Sequence, residues 1–156
     1  MNIYTLEVFI TMGLVSLKFS EKNPIMSRTI EIRGDQTLEE LHEIIFKAFD
    51  RYDEHLYEFQ IGGKGPQDPK ARRYGLPAYQ DEISDDFKLA ADVKQTTIDA
   101  LKLKQNQSFG YWFDFGDDWR HQVNVIEMEQ KTPKGKYPKI TNRVGQSPPQ
   151  YTEVDE

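Results

Sequence analysis

The sequence predicts a single α+β domain: one mainly antiparallel sheet, with one main amphipathic helix and one or two short helices packed on one face. Three observations carry this. Several short runs alternate apolar and polar side chains with a period of two, as half-buried strands do. One segment, Asp35 to Asp50, repeats its apolar residues at helical spacing behind a recognisable cap. Strands flank that helix without the regular strand–helix alternation of a parallel α/β fold.

The elements follow in chain order. Tyr4, Leu6, Val8 and Ile10 alternate with Thr5, Glu7 and Phe9, which marks a strand with one buried face. Val15, Leu17 and Phe19 repeat the pattern after Gly13 and predict a hairpin partner. A turn through Glu21 to Pro24 leads to another alternating run, Met26, Arg28, Ile30 and Ile32, in which Arg28 falls on the apolar side. In the helix, Thr37 and Glu40 form a Thr-x-x-Glu capping box, in which each side chain satisfies a free amide of the first turn. Leu38, Leu41, Ile45, Ala48 and Phe49 make its apolar stripe, Glu39, Glu43, Lys47 and Asp50 its wet face, and His42 sits at the edge between them.

Beyond the helix, His55, Tyr57, Phe59 and Ile61 share one side of a further strand. Residues 62–86 have no period, which in a compact domain indicates a functional or mobile loop. A weak helix is expected over Asp86 to Val93, and a shorter one from Thr96 or Thr97 with Ile98 and Leu101 turned inward. The segment Phe109 to Met128 reads as an aromatic hairpin with Phe109, Tyr111, Phe113 and Phe115 on one strand and Trp119, His121, Val123 and Val125 on the other. A loop Gly116-Asp117-Asp118 sets Phe115 against Trp119 and Phe113 against His121, keeping all of them on one face. It also sets Asp114 opposite Arg120 on the other face. Residues 1–129 thus form the domain, and residues 130–156 read as a proline-containing tail, partly ordered or mobile.

Composition narrows the class. Hydrophobic residues make up 37%, aromatic residues 12% and charged residues 29%, with a net charge of -6, which excludes collagen-like, membrane-spanning and wholly disordered chains. With no cysteine, disulfides, thiol catalysis and cysteine-ligated metal sites are excluded. Glu7 and Lys18 interrupt the most apolar stretch, so neither a membrane span nor a signal peptide is expected and the location is expected to be cytoplasmic. An acidic chain repels nucleic-acid phosphates unless its bases cluster. The two clusters, Lys64, Lys70, Arg72, Arg73 and Lys131, Lys134, Lys136, Lys139, lie in glycine- and proline-containing stretches that read as solvated loops.

Familiar catalytic spacings fail. Asp114-Phe115-Gly116 spells the magnesium motif of kinases but lacks every companion motif, and Gly62-Gly63-Lys64-Gly65-Pro66 lacks the phosphate-loop spacing. The three histidines, His42, His55 and His121, all lie on or beside apolar faces, and their convergence would suit a divalent metal that activates water, with Asp114, Asp117 or Asp118 orienting the imidazoles. A second constellation is Arg28 with Asp117 and Asp118, beside the Asp114–Arg120 pair. It reads as an ion-pair network pinning the hairpin, or as a polar pocket floor that recognises a small anion or peptide carboxylate. Tyr57, Phe59, Tyr111, Phe113 and Trp119 have acidic neighbours and read as core rather than as a base-stacking platform.

Several segments together resemble the plasmid open-reading-frame-three-like family, named from an Ri plasmid and met also as passenger proteins of bacterial insertion elements. They are Asn23-Pro24-Ile25-Met26-Ser27-Arg28, Thr37-Leu38-Glu39-Glu40-Leu41-His42, His55-Leu56-Tyr57-Glu58-Phe59 and, most specifically, the run from Tyr111 through Trp119 to His121. Tyr74-Gly75 and Tyr137-Pro138 match weaker points. The family usually has tryptophan where Ser27 stands, Gly-Trp where Arg51-Tyr52 stands, and Pro-Pro-Glu-Asp where Pro148-Pro149-Gln150-Tyr151 stands. The resemblance implies an α+β fold and a cytoplasmic prokaryotic protein of uncharacterised function, without an established reaction. The leading functional expectation is a non-catalytic binding or interaction module, without a cofactor, that engages a protein or a small anionic ligand. The alternatives are a metal-dependent hydrolase built on the histidines and a nucleic-acid-associated accessory protein of mobile elements.

Overall fold

A computed structural model of the chain describes residues 1–63, 68–77 and 89–151. The strands are β1 (Asn2–Met12), β2 (Ser27–Arg33), β3 (Tyr57–Ile61), β4 (Arg72–Gly75), β5 (Ala91–Asp92), β6 (Ser108–Phe113), β7 (Trp119–Gln130) and β8 (Lys139–Val144); the helices are α1 (Leu17–Lys22) and α2 (Leu38–Ala48). The strands form one eight-stranded sheet in the order β5-β4-β3-β6-β7-β1-β2-β8. It is mixed rather than purely antiparallel, because β5 runs parallel to β4 while the other described pairings are antiparallel.

Alternation in the sequence becomes alternation in burial. Leu6, Val8, Ile30, Ile32, Phe59, Val123 and Val125 join Leu38, Leu41 and Ile45 of α2, and Phe49 just past its end, in one buried cluster. The α2 capping box forms as its sequence requires: Thr37 accepts from the Glu40 amide at 3.2 Å, and Glu40 accepts from the Thr37 amide at 3.2 Å. Two further first-turn amides are satisfied by backbone, Leu38 donating to the Thr96 carbonyl at 2.9 Å and Glu39 to that of Val93 at 3.2 Å. Residues 93–98 therefore clamp the start of α2. Thr37→Ala is expected to cost about 1 kcal/mol, the usual loss for one cap, read as a lowered melting temperature. An unchanged melting temperature would mean that the clamp alone holds this turn.

Three expectations are corrected. Val15, Leu17 and Phe19 are not a strand: Ser16 accepts from the Phe19 amide at 3.1 Å and starts α1, a helix with no buried residue. The hairpin keeps its predicted faces but shifts its pairing by two residues, with Phe113 opposite Trp119 and Tyr111 opposite His121. Asp114 and Asp118 adopt left-handed φ values of 58° and 59°, and the Asp118 amide donates to the Asp114 carbonyl at 2.7 Å. The extended run thus ends at Asp114, and Phe115 leaves the core to pack on Trp112 with ring centroids 4.3 Å apart. Ala91–Asp92 form β5 where a weak helix was expected, residues 86–88 of that span lying outside the described residues. The tail, expected to be partly ordered or mobile, supplies β8, which pairs Arg143 with Arg28 and Ile140 with Ile30 on β2.

Candidate functional site

The C-terminus of α2 is where sheet, helix and tail meet. The helix closes with paired turns, the Asp50 amide donating to the Lys47 carbonyl at 3.0 Å and the Arg51 amide to the Phe46 carbonyl at 3.0 Å. Asp50 occupies the left-handed position with φ 57°. The Ala48 carbonyl, left over by this ending, accepts from Arg28 Nε at 2.9 Å and also from Arg143 Nη1. Two guanidinium groups thus cap the negative end of the helix dipole.

Arg28 is 2% exposed. Its remaining bonds go to the carbonyls of Ser27, Val144 and Gly145 and to Ser147 Oγ at 2.8 Å. It makes no ion pair among the described residues; its expected partners, Asp117 and Asp118, are not among its contacts. Burial pulls its proton affinity down, and the facing Arg143 lowers it further. Arg143 lies directly opposite on β8, an arrangement of like charges that destabilises a sheet unless something offsets it. Its side chain is 45% exposed and stands 4.0 Å from Asp50. Arg51 lies behind, its Nη1 donating to the Pro148 carbonyl at 2.6 Å and its guanidinium 4.2 Å over the Trp119 ring. Burial pushes Arg51 down to about 10, and its Nη2 is buried without a partner among the described residues.

The segment 145–151 straps across this corner and walls a cleft of about 580 Å³, whose lining includes Arg28, Asp50, Tyr52, Arg143, Ser147 and Tyr151. Gln150, 2% exposed, rivets the strap: its Oε1 accepts from the Tyr52 and Asp53 amides at 3.0 and 3.1 Å, and its Nε2 donates to the Asp53 carbonyl at 2.6 Å. Gly145 must be glycine, since its φ is 76° and a Cβ there would meet the Ile25 carbonyl at 2.1 Å. Among the described residues, Asp50 is the one carboxylate in the lining, so the cleft carries net positive charge in a chain whose total is -6.

The histidines do not converge on one point. His42 lies in the core, stacked on Tyr57 with centroids 3.6 Å apart. Its Nε2 donates to the Glu54 carboxylate, which can only accept, at 2.7 Å, and its Nδ1 meets the Tyr111 hydroxyl. Burial alone would raise the Glu54 carboxyl, but the hydrogen bond from His42 holds it below its ordinary value. His121 is fully buried; its Nδ1 donates to the Tyr111 carbonyl at 3.2 Å, and burial pushes it down to about 3, so the ring is neutral. His55 lies at the surface, donating to Tyr151 Oη at 2.7 Å, with Asp114 at 3.4 Å and Asp53 at 3.7 Å. No cluster of three or more His, Cys, Asp or Glu side chains poised to hold a metal occurs among the described residues.

The other expected binding residues also separate. Asp118 accepts from Arg120 Nε and from Trp112 Nε1, both at 2.8 Å, on the outer face of the hairpin. Arg120 thus pairs with Asp118 rather than Asp114, while Asp114 accepts the Asp117 amide at 3.2 Å and turns toward His55. Of the predicted set, Arg28 alone reaches the cleft; Arg143, Arg51, Ser147 and Gln150 were missed because they lie in or beyond segments without periodicity. The inward Arg28 was the one signal that pointed here.

These features define a small α+β protein with a strapped, arginine-floored cleft and no long apolar helix able to cross a membrane among the described residues. The chain belongs to the plasmid pRiA4b ORF-3-like protein family, whose sequence model matches residues 13–153. It is 29% identical over 127 residues to the uncharacterized protein y4hQ of Sinorhizobium fredii, an alignment covering 81% of this chain and 59% of that relative. The chain therefore spans about three fifths of that protein's length. Its fold is similar to that of a protein of unknown function, MM3350, from Methanosarcina mazei Go1, with a TM-score of 0.67 and 23% identity over 91% of this chain and 69% of the other.

Proposed function

We propose that this chain is a non-catalytic binding module whose arginine cleft takes up an anionic group of a partner protein or small ligand. The observation that carries the reading is the facing pair Arg28 and Arg143 on β2 and β8, both bonded to Ala48, with Asp50 alone among described carboxylates to balance them. The helix dipole offsets part of that repulsion. A bound carboxylate or phosphate offsets more, and the planar fork of Arg143, which spends one N–H on Ala48, is suited to hold it by paired charge-assisted hydrogen bonds. Ser147 Oγ, bridging Arg28 and Asp50 at 2.8 and 2.6 Å, sits beside the same space.

The test is an NMR titration with inorganic phosphate at low and moderate salt. Saturable shifts are expected at the amides of Gly145, Gln146, Ser147 and Gln150, and Arg143→Ala should weaken binding by about tenfold or more, as losing a charge-assisted pair does. Arg120→Ala, on the outer face, should leave the titration unchanged. Shifts that never saturate, or that survive Arg143→Ala, would overturn the reading.

A further inference from the structure

The arginine cleft has a neighbour of different character. A groove of about 570 Å³ beside α1 is lined by Leu14, Val15 and Phe19, with Lys18 and Lys22 at its rim. Gln146 and Pro149 line both cavities, so the strap is a ridge between them. We infer that the two cavities form one bipartite docking surface for an acidic peptide segment, placing a carboxylate against Arg143 and an apolar side chain against Leu14 and Phe19. This rests on the anion-binding reading of the cleft and extends it to a class of partner.

The physical case begins with α1. A short helix in a compact domain ordinarily buries one face, yet this one buries none of its residues, and Leu14 and Leu17 are 49% and 76% exposed. The helix is nevertheless held: Ser16 caps its start, and Asn23 Nδ2 donates to the Phe19 carbonyl at 3.2 Å. Asn23 also reaches across to the ridge, accepting the Gln146 amide at 2.9 Å, while Ser147 on the other flank donates to Asp50 at 2.6 Å. With Gly145 pressed against Ile25, the ridge is anchored on both sides, so little ordering entropy remains to be lost on docking.

Charge selects the occupant. Lys18, Lys22 and Arg28 make no ion pair among the described residues, and Arg143 has only Asp50 at 4.0 Å. In a chain of net charge -6, these cations gather around two adjoining cavities. A single-headed amphiphile such as a fatty acid offers one charge and wants a continuous apolar tunnel. Here the apolar groove is open, as the exposure of Leu14 shows, and cations stand on both sides of the ridge. A peptide with several carboxylates flanking an apolar side chain matches both features.

The experiment uses the full chain and a fluorescein-labelled hexapeptide of alternating glutamate and leucine, with inorganic phosphate and laurate as separate probes. The peptide should bind more tightly than phosphate. Leu14→Ser, at an exposed position, should weaken the peptide about tenfold without changing phosphate binding, while Arg143→Ala weakens both. A glutamine-for-glutamate peptide should lose binding. If phosphate binds but Leu14→Ser leaves the peptide unaffected, the bipartite inference falls and the anion cleft stands. If the peptide responds to Leu14→Ser but not to Arg143→Ala, the anion cleft itself falls. Laurate bound in preference to the peptide, or a concentration-dependent dimer abolished by Leu14→Ser, would assign the groove to a lipid or to a second copy and overturn the proposal.

Discussion

Phe113→Ala is expected to destabilise the fold by about 3–5 kcal/mol, the range for deleting a buried aromatic ring. Phe113 is 2% exposed and lies where three elements meet. On the sheet it is flanked by Trp119 of β7 and Tyr57 of β3. Above the sheet its ring meets Phe46 of α2 nearly edge-on, with centroids 5.9 Å apart, and His55 at the same separation. Removing it strips contacts from all three at once, and the β6 backbone, paired on both sides, cannot collapse to refill the space. Urea denaturation should show a lower midpoint with an unchanged slope. A loss under about 1 kcal/mol would mean that this face of the hairpin is not core.

A second large effect concerns pH. Burial, with smaller contributions from Arg51 and His42, pushes His121 down to about 3 in the fold. The unfolded imidazole titrates near its ordinary value of about 6.5. Between those values the unfolded chain binds a proton that the native chain refuses, so the native state loses stability as pH falls through that window. The contribution is fully present above about pH 6.5 and amounts to about 5 kcal/mol, fully lost only below about pH 3. Carboxylates titrate in the lower part of that range, so the clean comparison is between pH 5 and 6.5, about the upper part of the imidazole window. There the unfolding free energy should fall with decreasing pH by about 1 kcal/mol per unit, a slope that His121→Gln should remove. Equal slopes in both proteins would show that a group other than His121 controls acid unfolding.

How much of this was legible depends on the range of the interaction involved. The α2 cap needs residues three apart, Thr37 and Glu40, and it forms as written. The buried faces of β1, β2, β6 and β7 need only a period of two, and the expected core positions within these strands are buried apart from Ile10, which is half-buried at the end of its run. The hairpin register needed more. A two-residue slide preserves every face, so alternation cannot choose between Phe113 and Phe115 as the partner of Trp119; the left-handed turns at Asp114 and Asp118 chose. At Val15 to Phe19 local signals conflicted, because three apolar residues at alternate positions fit a strand, whereas the Ser16 cap fits a helix.

The site lay largely beyond such rules. Arg28 could be recognised as an inward charge, since an arginine on an apolar stripe demands compensation. What compensates it is the Ala48 carbonyl 20 residues away and the strap beginning more than a hundred residues later, and neither leaves a periodic trace. The histidines teach the converse: shared apolar surroundings placed His42 and His121 in the core, but their nitrogens are engaged by Glu54 and Tyr111 rather than by one another.

Strand faces, the helix and its cap, and the presence of an inward arginine all follow from neighbours within a few positions, because backbone geometry repeats every two or 3.6 residues. The recruitment of the tail as β8, the parallel β4–β5 edge and the meeting of Arg28 with Arg143 depend on which surfaces find each other after collapse. Side-chain packing and charge neutralisation at a helix end settle those choices, and they act between residues whose separation along the chain carries no information.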